Sequence, residues 1–213
     1  NVQTFYKDRD PRFAQTIAYN GCVWPLLGNN NQRIWTYYYY SDKNKTTTTK
    51  STESSASGSG LYLRKAVDPT LSLTDLSVAG TDWIEIRYAE VLLNQAEAAA
   101  EIGHLGSTQE AYANLVAIRK RAGIEAGTDN MYGLTAGMNH DQMINAIMKE
   151  RQIELAFEGK RYWDLRRRKL LESTLNINVK RRSGVVVTLN NNNSYTDYIA
   201  ATRDASAASS LDN

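Results

Sequence analysis

The pattern of hydrophobic and polar positions changes near residue 80. Between residues 81 and 169, apolar side chains recur at intervals of three and four, the spacing of one face of an α-helix. Before residue 80 this period is missing, and turn-forming Asn, Gly and Pro are frequent. The pattern predicts a loop-rich aromatic segment over 1–80 and a helical portion over 81–213, with a small β-hairpin near 177–189.

Two helices are predicted before residue 124. The first is capped by Thr81 or Asp82 and runs to residue 102. The second follows Ser107, which has the spacing of a capping box with Glu110. A short connection joins the two helices, so together they have the size of one tetratricopeptide unit. The predicted fold class is mainly α, built from this tetratricopeptide-like hairpin and a long charged helix that follows it.

The long charged helix, capped by Asn139 or Asp141, is predicted to run through residue 169. Its charged residues, of both signs, follow one another at steps of three or four, which on one helix forms a ladder of facing opposite charges. The ladder consists of Arg151, Glu154, Glu158, Arg161, Asp164 and Arg168. The apolar residues between them are predicted to face a core: Ile147, Ile153, Phe157, Trp163 and Leu165. Gly159 is a possible kink or break.

The ladder resembles a catalytic carboxylate pair, but its spacing favours a structural role. Glu154 and Glu158 lie four residues apart on one predicted helix, whereas glycoside cleavage needs two carboxylates across a cleft. Neighbouring arginines keep both carboxylates ionised. The sequence has no phosphate-binding glycine loop and no nucleophile elbow. We therefore expect a protein that is not an enzyme and has no cofactor.

Composition excludes several classes of protein. The 213 residues carry a net charge of +2, which argues against nucleic acid as the main partner. No apolar run has the length needed to span a bilayer. Cys22 is the sole cysteine, and His104 and His140 both lie beside predicted turns, so neither a disulfide framework nor a metal site is expected. The polar tract 41–60 is predicted to be an exposed, mobile loop.

Aromatic residues in the first segment are the candidate ligand-binding groups. Flat aromatic rings can stack on the apolar faces of sugars, and nearby amides can bind hydroxyl groups. The candidates are Trp24, Trp35, Tyr37, Tyr38, Tyr39, Asn30 and Gln32. Aromatic side chains in loops can equally be packed beneath long connections. A basic cluster, Arg166 to Lys169 with Lys180 to Arg182, could contact an anionic polysaccharide, but solvated cations that complement a helix dipole are the favoured interpretation.

Several stretches of the chain occur together in one known family and in its order. They are Asp10 to Phe13, Tyr19 to Gly21, Tyr62 to Lys65, and the sequences DWIEIRYAEVLLNQAEAAAEIG, IRKRAG and ERQIELAFEGKRYWDLRRRK, which begin at residues 82, 118 and 150. The set resembles the SusD/RagB-like outer-membrane nutrient-binding lipoproteins of Bacteroidetes. The resemblance covers roughly residues 8 to 170.

The resemblance implies a function and a cellular location. Such a protein sits as a lid on a SusC-like TonB-dependent transporter at the extracellular face of the outer membrane and captures glycans, or in some members peptides, for import. A lipid anchor on an N-terminal cysteine would lie in a part not present here, and Cys22 is not that cysteine. We expect the chain to correspond to the C-terminal portion of such a protein. The alternative hypotheses are a tetratricopeptide-type scaffold for a protein partner and a peptide-binding member of the same family.

Overall fold

The computed structural model describes residues 6–24, 33–36, 59–71, 75, 78–80 and 82–175, and the strand backbones at 38–40, 48–50 and 188–189. The helices of this part are α1 Arg12–Thr16, α2 Tyr88–Glu101, α3 Glu110–Arg121, α4 His140–Glu154, α5 Lys160–Arg167 and α6 Leu171–Leu175. The strands are β1 Ile17–Tyr19, β2 Tyr38–Tyr40, β3 Thr48–Lys50, β4 Leu61–Leu63 and β5 Thr188–Leu189. The predicted mainly α fold class is confirmed.

The chain divides into two compact units. The first contains residues 1–9, 13–81 and 182–213. In this unit β1 pairs antiparallel with β4, with Ala18 opposite Tyr62. In a second sheet β2 pairs antiparallel with β3 and parallel with β5. A small core of buried residues supports the unit: Tyr6, Ala18, Tyr19, Cys22 and Ile34.

Two predictions for the first unit meet the structure only in part. The polar tract 41–60 was expected to lack regular structure, but β3 lies inside it and pairs with β2. Threonine favours extended backbone, and strand pairing through backbone groups needs no apolar side chain. Of the hairpin predicted near 177–189, residues 177–187 lie outside the described residues. Residues 188–189 form β5, whose recorded partner is β2.

The second unit contains residues 10–12 and 82–181, and its core lies between α2, α3 and α4. Leu93, Tyr112, Leu115 and Ile147 are completely buried there. The predicted helical hairpin is therefore present as α2 and α3. Gly103, with a φ of +80°, follows α2 in the left-handed region that favours glycine at a helix end.

Helix α2 begins five or six residues later than predicted. Its N-cap is Arg87, with a φ of −130° and a ψ of 160°, and residues 82–87 form neither helix nor strand. The carbonyl of Glu85, which would accept an N–H from the next turn of a continuous helix, accepts from Lys160 Nζ at 2.6 Å instead. The side chain of Arg87 is bound to Glu154 and Glu158. These distant contacts compete with the local helix signal.

The helix caps confirm one prediction and correct another. Asn139 caps α4, and it forms a capping box with Gln142 in which each side chain accepts from the other's backbone N–H at 3.0 Å. The capping box predicted for Ser107 and Glu110 is wrong, because the N-cap of α3 is Gln109. The Gln109 side chain accepts from the N–H of Gly106 at 2.6 Å, which closes the turn before α3.

The long charged helix is interrupted at the position that Gly159 made possible. Helix α4 ends at Glu154 and α5 starts at Lys160, while Phe157 and Gly159 have φ values of +64° and +73°. Because the left-handed turn reorients α5, the helical period of α4 does not continue through it. Ile147 and Leu165 are buried as predicted, and Ile153 is half-buried. The core prediction is wrong for Phe157 and Trp163, which are 60% and 57% exposed.

Candidate functional site

The sequence indicated two groups of candidate residues. The first, the charged ladder, belongs to a larger network of ion pairs in the second unit. Glu150 lies at its centre and is completely buried. Arg12 Nη1 donates to Glu150 Oε1 at 2.6 Å, and Arg119 Nε donates to Oε2 at 2.8 Å. Arg12 also binds Asp10 Oδ2 at 2.6 Å. Both carboxylate oxygens of a buried glutamate are thus satisfied by arginines from elsewhere in the unit.

Glu154, one helical turn further along α4, has three arginine partners. Arg87 Nη1 donates to Oε1 at 2.6 Å, Arg12 Nη1 lies 2.9 Å from Oε2, and Arg121 also binds Oε1. Burial raises the pKa of Glu154, but the hydrogen bonds from Arg12 and Arg87 outweigh burial, and the pKa lies below its usual 4.5. Arg87 Nε donates to Glu158 at 2.8 Å.

The other ladder residues mainly join different helices. Arg151 Nε of α4 is 2.9 Å from both oxygens of Asp164 on α5, and Arg151 Nη1 donates to Asn94 of α2 at 2.7 Å. Arg168 binds Glu101 of α2 at 2.6 Å, and Arg161 Nη1 lies 3.5 Å from the carbonyl of Met148. The charges therefore hold α2, α4 and α5 together rather than stabilising one helix along its length.

This network is unsuited to acid or base catalysis. A general acid must be protonated near its working pH, whereas the arginines hold Glu154 in its ionised form. Arginine guanidinium groups neutralise the carboxylates of the network, so these carboxylates have no spare negative charge with which to bind a metal cation. In the described part of the chain, no group of three or more His, Cys, Asp or Glu side chains could hold a metal ion. No helix in that part is both long and apolar enough to cross a bilayer.

The second group is the set of loop aromatics in the first unit. Val23 and Arg33 form an antiparallel bridge, and next to it Ile34 N donates to the carbonyl of Cys22 at 3.1 Å. Cys22 and Ile34 are buried on one face of this pairing. Side chains alternate between the two faces of an extended chain. Trp24 therefore lies on the buried face, with Cys22 and Ile34, and Trp35 lies on the opposite face.

The two tryptophans therefore have different surroundings. Trp24 is half-buried and packs against the small core, whereas Trp35 is half-buried without being part of it. The backbone on both sides of Trp35 is held in place. Asn20, 1% exposed, accepts the N–H of Thr36 at 2.9 Å, and the Thr36 hydroxyl donates to the carbonyl of Gly60 at 2.9 Å.

The remaining candidates cannot be placed as side chains. Asn30, Gln32 and Tyr37 lie outside the described residues, and Tyr38 and Tyr39 are described only as backbone of β2. Cys22 packs in the small core, where burial raises the pKa of its thiol above the usual 9.0. The thiol is therefore neutral near pH 7 and serves as packing.

A third group of residues was not predicted as a site. Trp83, Tyr162 and Trp163 are 71%, 53% and 57% exposed, although they lie in the otherwise well-packed second unit. Trp83 and Trp163 were assigned to helices, where the surrounding apolar residues suggested a core. The signal for the exposure of Trp163 was Gly159, since a break there turns the face of α5 that carries Trp163 away from the core of α4.

Comparisons with known proteins agree on one family. A model of the SusD family matches residues 1–209. SusD-like protein P2 of Formosa agariphila is 42% identical to the chain over 92 residues. Two solved Bacteroides fragilis structures, a SusD-like protein and a SusD-like carbohydrate-binding protein, have TM-scores of 0.59 and 0.57 and sequence identities of 29% and 30%.

These relatives are much longer than the matched region. Each of the two structural alignments covers 79% of this chain and 30% of the solved chain. The alignment with SusD-like protein P2 covers 43% of this chain and 18% of that protein. The chain thus spans less than a third of the solved relatives.

Proposed function

Because the chain belongs to the SusD family, we propose that it binds glycans without cleaving them and takes part in their import through a partner TonB-dependent transporter. The family match over residues 1–209 is the observation that carries this proposal. The solved carbohydrate-binding relative, 30% identical over the aligned region, supports a glycan as the ligand.

The proposed binding surface lies in the first unit and includes Trp35. Its flanking residues are fixed by buried hydrogen bonds, so little conformational entropy is lost when a sugar stacks on the ring. The neighbouring candidates Asn30, Gln32, Tyr37, Tyr38 and Tyr39 complete the proposed surface. Trp24 was proposed as a ligand contact too, and its contact with the small core adds a structural role.

The proposed location is the extracellular face of the outer membrane. There the protein would cover a SusC-like transporter and be held by a lipid anchor on an N-terminal cysteine, in a segment that these 213 residues do not include. The proposal that the chain is not an enzyme is supported by the arginine-paired carboxylates of α4, which are bound to structural partners.

A glycan-array screen followed by affinity gel electrophoresis tests the proposal. We expect Trp35→Ala to weaken binding by about tenfold, equivalent to ~1.4 kcal/mol, in a variant whose melting curve shows that it is folded. Trp24→Ala should lower the melting temperature, since it removes packing on the small core. Ile102→Ala, at a 70% exposed position in the second unit, is the control.

Several outcomes would count against the proposed function. If the protein binds no glycan on the array and captures peptides instead, a peptide-binding role replaces it. If the protein releases products from an oligosaccharide, the assignment as a non-enzyme is wrong. If Trp35→Ala binds glycan as the unchanged protein does, the proposed surface is wrong even though glycan binding stands.

A further inference from the structure

Exposed aromatic residues of the second unit lie along the start of α5. The side chain of Trp83 covers Gly159, such that a Cβ added at Gly159 would lie 3.9 Å from Trp83 Cζ2. The hydrogen bond of 2.6 Å from Lys160 Nζ to the carbonyl of Glu85 holds this segment against α5. Trp83 nevertheless remains 71% exposed, so much of its ring is open to solvent. Its indole N–H donates to Glu85 Oε2 at 3.1 Å, so the face of the ring, and not its N–H, is open to a ligand.

Trp163 continues this surface one helical turn further on. It follows Gly159 by four residues, a spacing that places two positions on the same side of a helix. The Tyr162 ring meets it edge-on, with the ring centroids 5.2 Å apart. The guanidinium carbon of Arg166 lies 5.5 Å from the Trp163 ring centroid, a cation–π contact. We call Trp83, Trp163 and Arg166 the aromatic row.

Arg166 differs from the cations beside it. Arg167 is paired with Glu97 and Asp164, and Arg168 is paired with Glu101. Within the part of the chain that the structure describes, Arg166 has no carboxylate partner; its recorded contact is the ring of Trp163. Its charge and its N–H donors are therefore available to a ligand, at the edge of an exposed tryptophan.

Helix α5, which carries Trp163 and Arg166 of the row, is held in place by buried groups. Asp164, next to Trp163, is 2% exposed and bound by Arg151 at 2.9 Å, and Leu165 is 3% exposed. The row is thus supported from behind by buried groups while its rings face solvent. A surface fixed in this way loses little entropy on binding a ligand.

We propose that the aromatic row binds an anionic glycan, whose sugar rings stack on Trp83 and Trp163 while a carboxylate or sulfate group pairs with Arg166. Aromatic faces suit the C–H faces of sugar rings, and a guanidinium group suits planar or tetrahedral oxyanions. The inference rests on the proposed function in taking a glycan as ligand. It adds a second binding surface, separate from the one that includes Trp35. It also requires that the glycan bound there carry a negative charge.

Affinity gel electrophoresis of the 213-residue protein against three polymers tests this inference. Dextran is neutral, dextran sulfate carries sulfate on the same backbone, and polygalacturonate carries carboxylates. We expect retardation by a charged polymer to weaken about tenfold, equivalent to ~1.4 kcal/mol, in Trp163→Ala and in Arg166→Ala. Trp83→Ala should act in the same direction, and Trp163→Tyr, which keeps a ring, should restore part of the binding.

Two controls separate this surface from general effects of charge and exposure. Lys149→Ala removes an exposed cation from α4, and Ile102→Ala removes an exposed apolar side chain at the end of α2. Both should bind the charged polymers like the unchanged protein. Melting curves check that every variant is folded. The two charged polymers distinguish a carboxylate ligand from a sulfate ligand, and either one supports the inference.

The inference is overturned if the row variants bind both charged polymers as the unchanged protein does, or if Lys149→Ala weakens binding as much as Arg166→Ala. Retention by dextran alone would also overturn it. Each of these results leaves the proposed function intact, because that function is tested by the glycan array and by Trp35→Ala. If Trp163→Ala abolishes self-association and leaves glycan binding unchanged, the row is a protein contact and the inference is wrong.

Discussion

Helices α4 and α5 follow each other in the chain, but α4 buries three charged side chains while α5 exposes a tryptophan. Helix α4 buries Glu150, Arg151 and Glu154 almost as completely as it buries Ile147. Helix α5 leaves Trp163 more than half exposed. Residue type alone would suggest the reverse, since charged residues are rarely buried and tryptophan usually is.

The difference shows that partners decide burial in this unit. A buried charge is tolerated when hydrogen-bonded groups of opposite charge compensate its lost hydration. Glu150 and Glu154 have arginine partners, and Arg151 is paired with Asp164. The exposed position of Trp163 follows from the left-handed turn before α5, which sets the direction of that helix. The following changes test this comparison, beginning with the largest expected effect.

Glu150→Gln should destabilise the protein most. The change keeps the shape of the side chain but leaves Arg12 and Arg119 as partly buried cations without their shared carboxylate. Removing one member of a buried ion pair costs about 3–5 kcal/mol. Urea unfolding measures the loss. Glu172→Gln, at an exposed position of α6, is the matched control and should change stability by less than about 0.5 kcal/mol.

One outcome of the Glu150→Gln experiment would contradict the comparison between α4 and α5. If the two glutamine variants unfold at the same urea concentration, the buried network contributes no more than a surface charge, and α4 does not depend on its arginine partners.

Ile147→Ala and Trp163→Ala should differ although each removes a large apolar group. Ile147 is completely buried, so its truncation leaves a cavity and should cost about 2–5 kcal/mol. Trp163 is mostly exposed, and its truncation should cost less than about 1 kcal/mol. Thermal and urea unfolding of both variants measure the difference. Equal losses would mean that Trp163 is part of the core, against the description of α5 given above.

His140→Gln should produce the smallest effect, at the exposed start of α4. His140 Nδ1 lies 2.9 Å from Asp141 and Nε2 lies 3.0 Å from Glu101, and the hydrogen bonds to these carboxylates raise the pKa of His140 above its usual 6.5. A raised pKa in the folded state stabilises the protein below pH 6.5, and the contribution is lost as the pH rises through the folded-state pKa.

Melting temperatures measured across this pH range test the effect of His140. The unchanged protein should melt slightly above His140→Gln at low pH, and the difference should shrink as the pH rises. A difference that is constant with pH would show that the charge of His140 contributes nothing.

Much of the helical fold is predictable because its signals are local. The hairpin of α2 and α3 and the cap at Asn139 follow from spacing within a few residues. The start of α2 does not, because Arg87 and the carbonyl of Glu85 are bound by groups about 70 residues away in sequence. Local propensity cannot anticipate competition from such distant partners.

The candidate site is less predictable than the fold. Sequence indicates that the first segment is rich in aromatics, but it cannot tell that Trp24 and Trp35 belong to opposite faces of one bridge, which depends on the pairing of Val23 with Arg33. The ladder was predicted to face its charges along one helix, whereas most of the partners of its residues come from other helices. The exposure of Trp163 depends on whether Gly159 interrupts a helix or merely bends it, and glycine is compatible with both.

The pairing of Arg12 with Glu150 also has a consequence for synthesis on the ribosome. The two residues are 138 positions apart, and Arg12 emerges first. At usual rates of translation, on the order of ten seconds pass before its partner is made. Until then the guanidinium group of Arg12 stays hydrated, because the carboxylates of α4 that it pairs with have not yet been made. The unit therefore completes its folding late, when its earliest residues join its last helices.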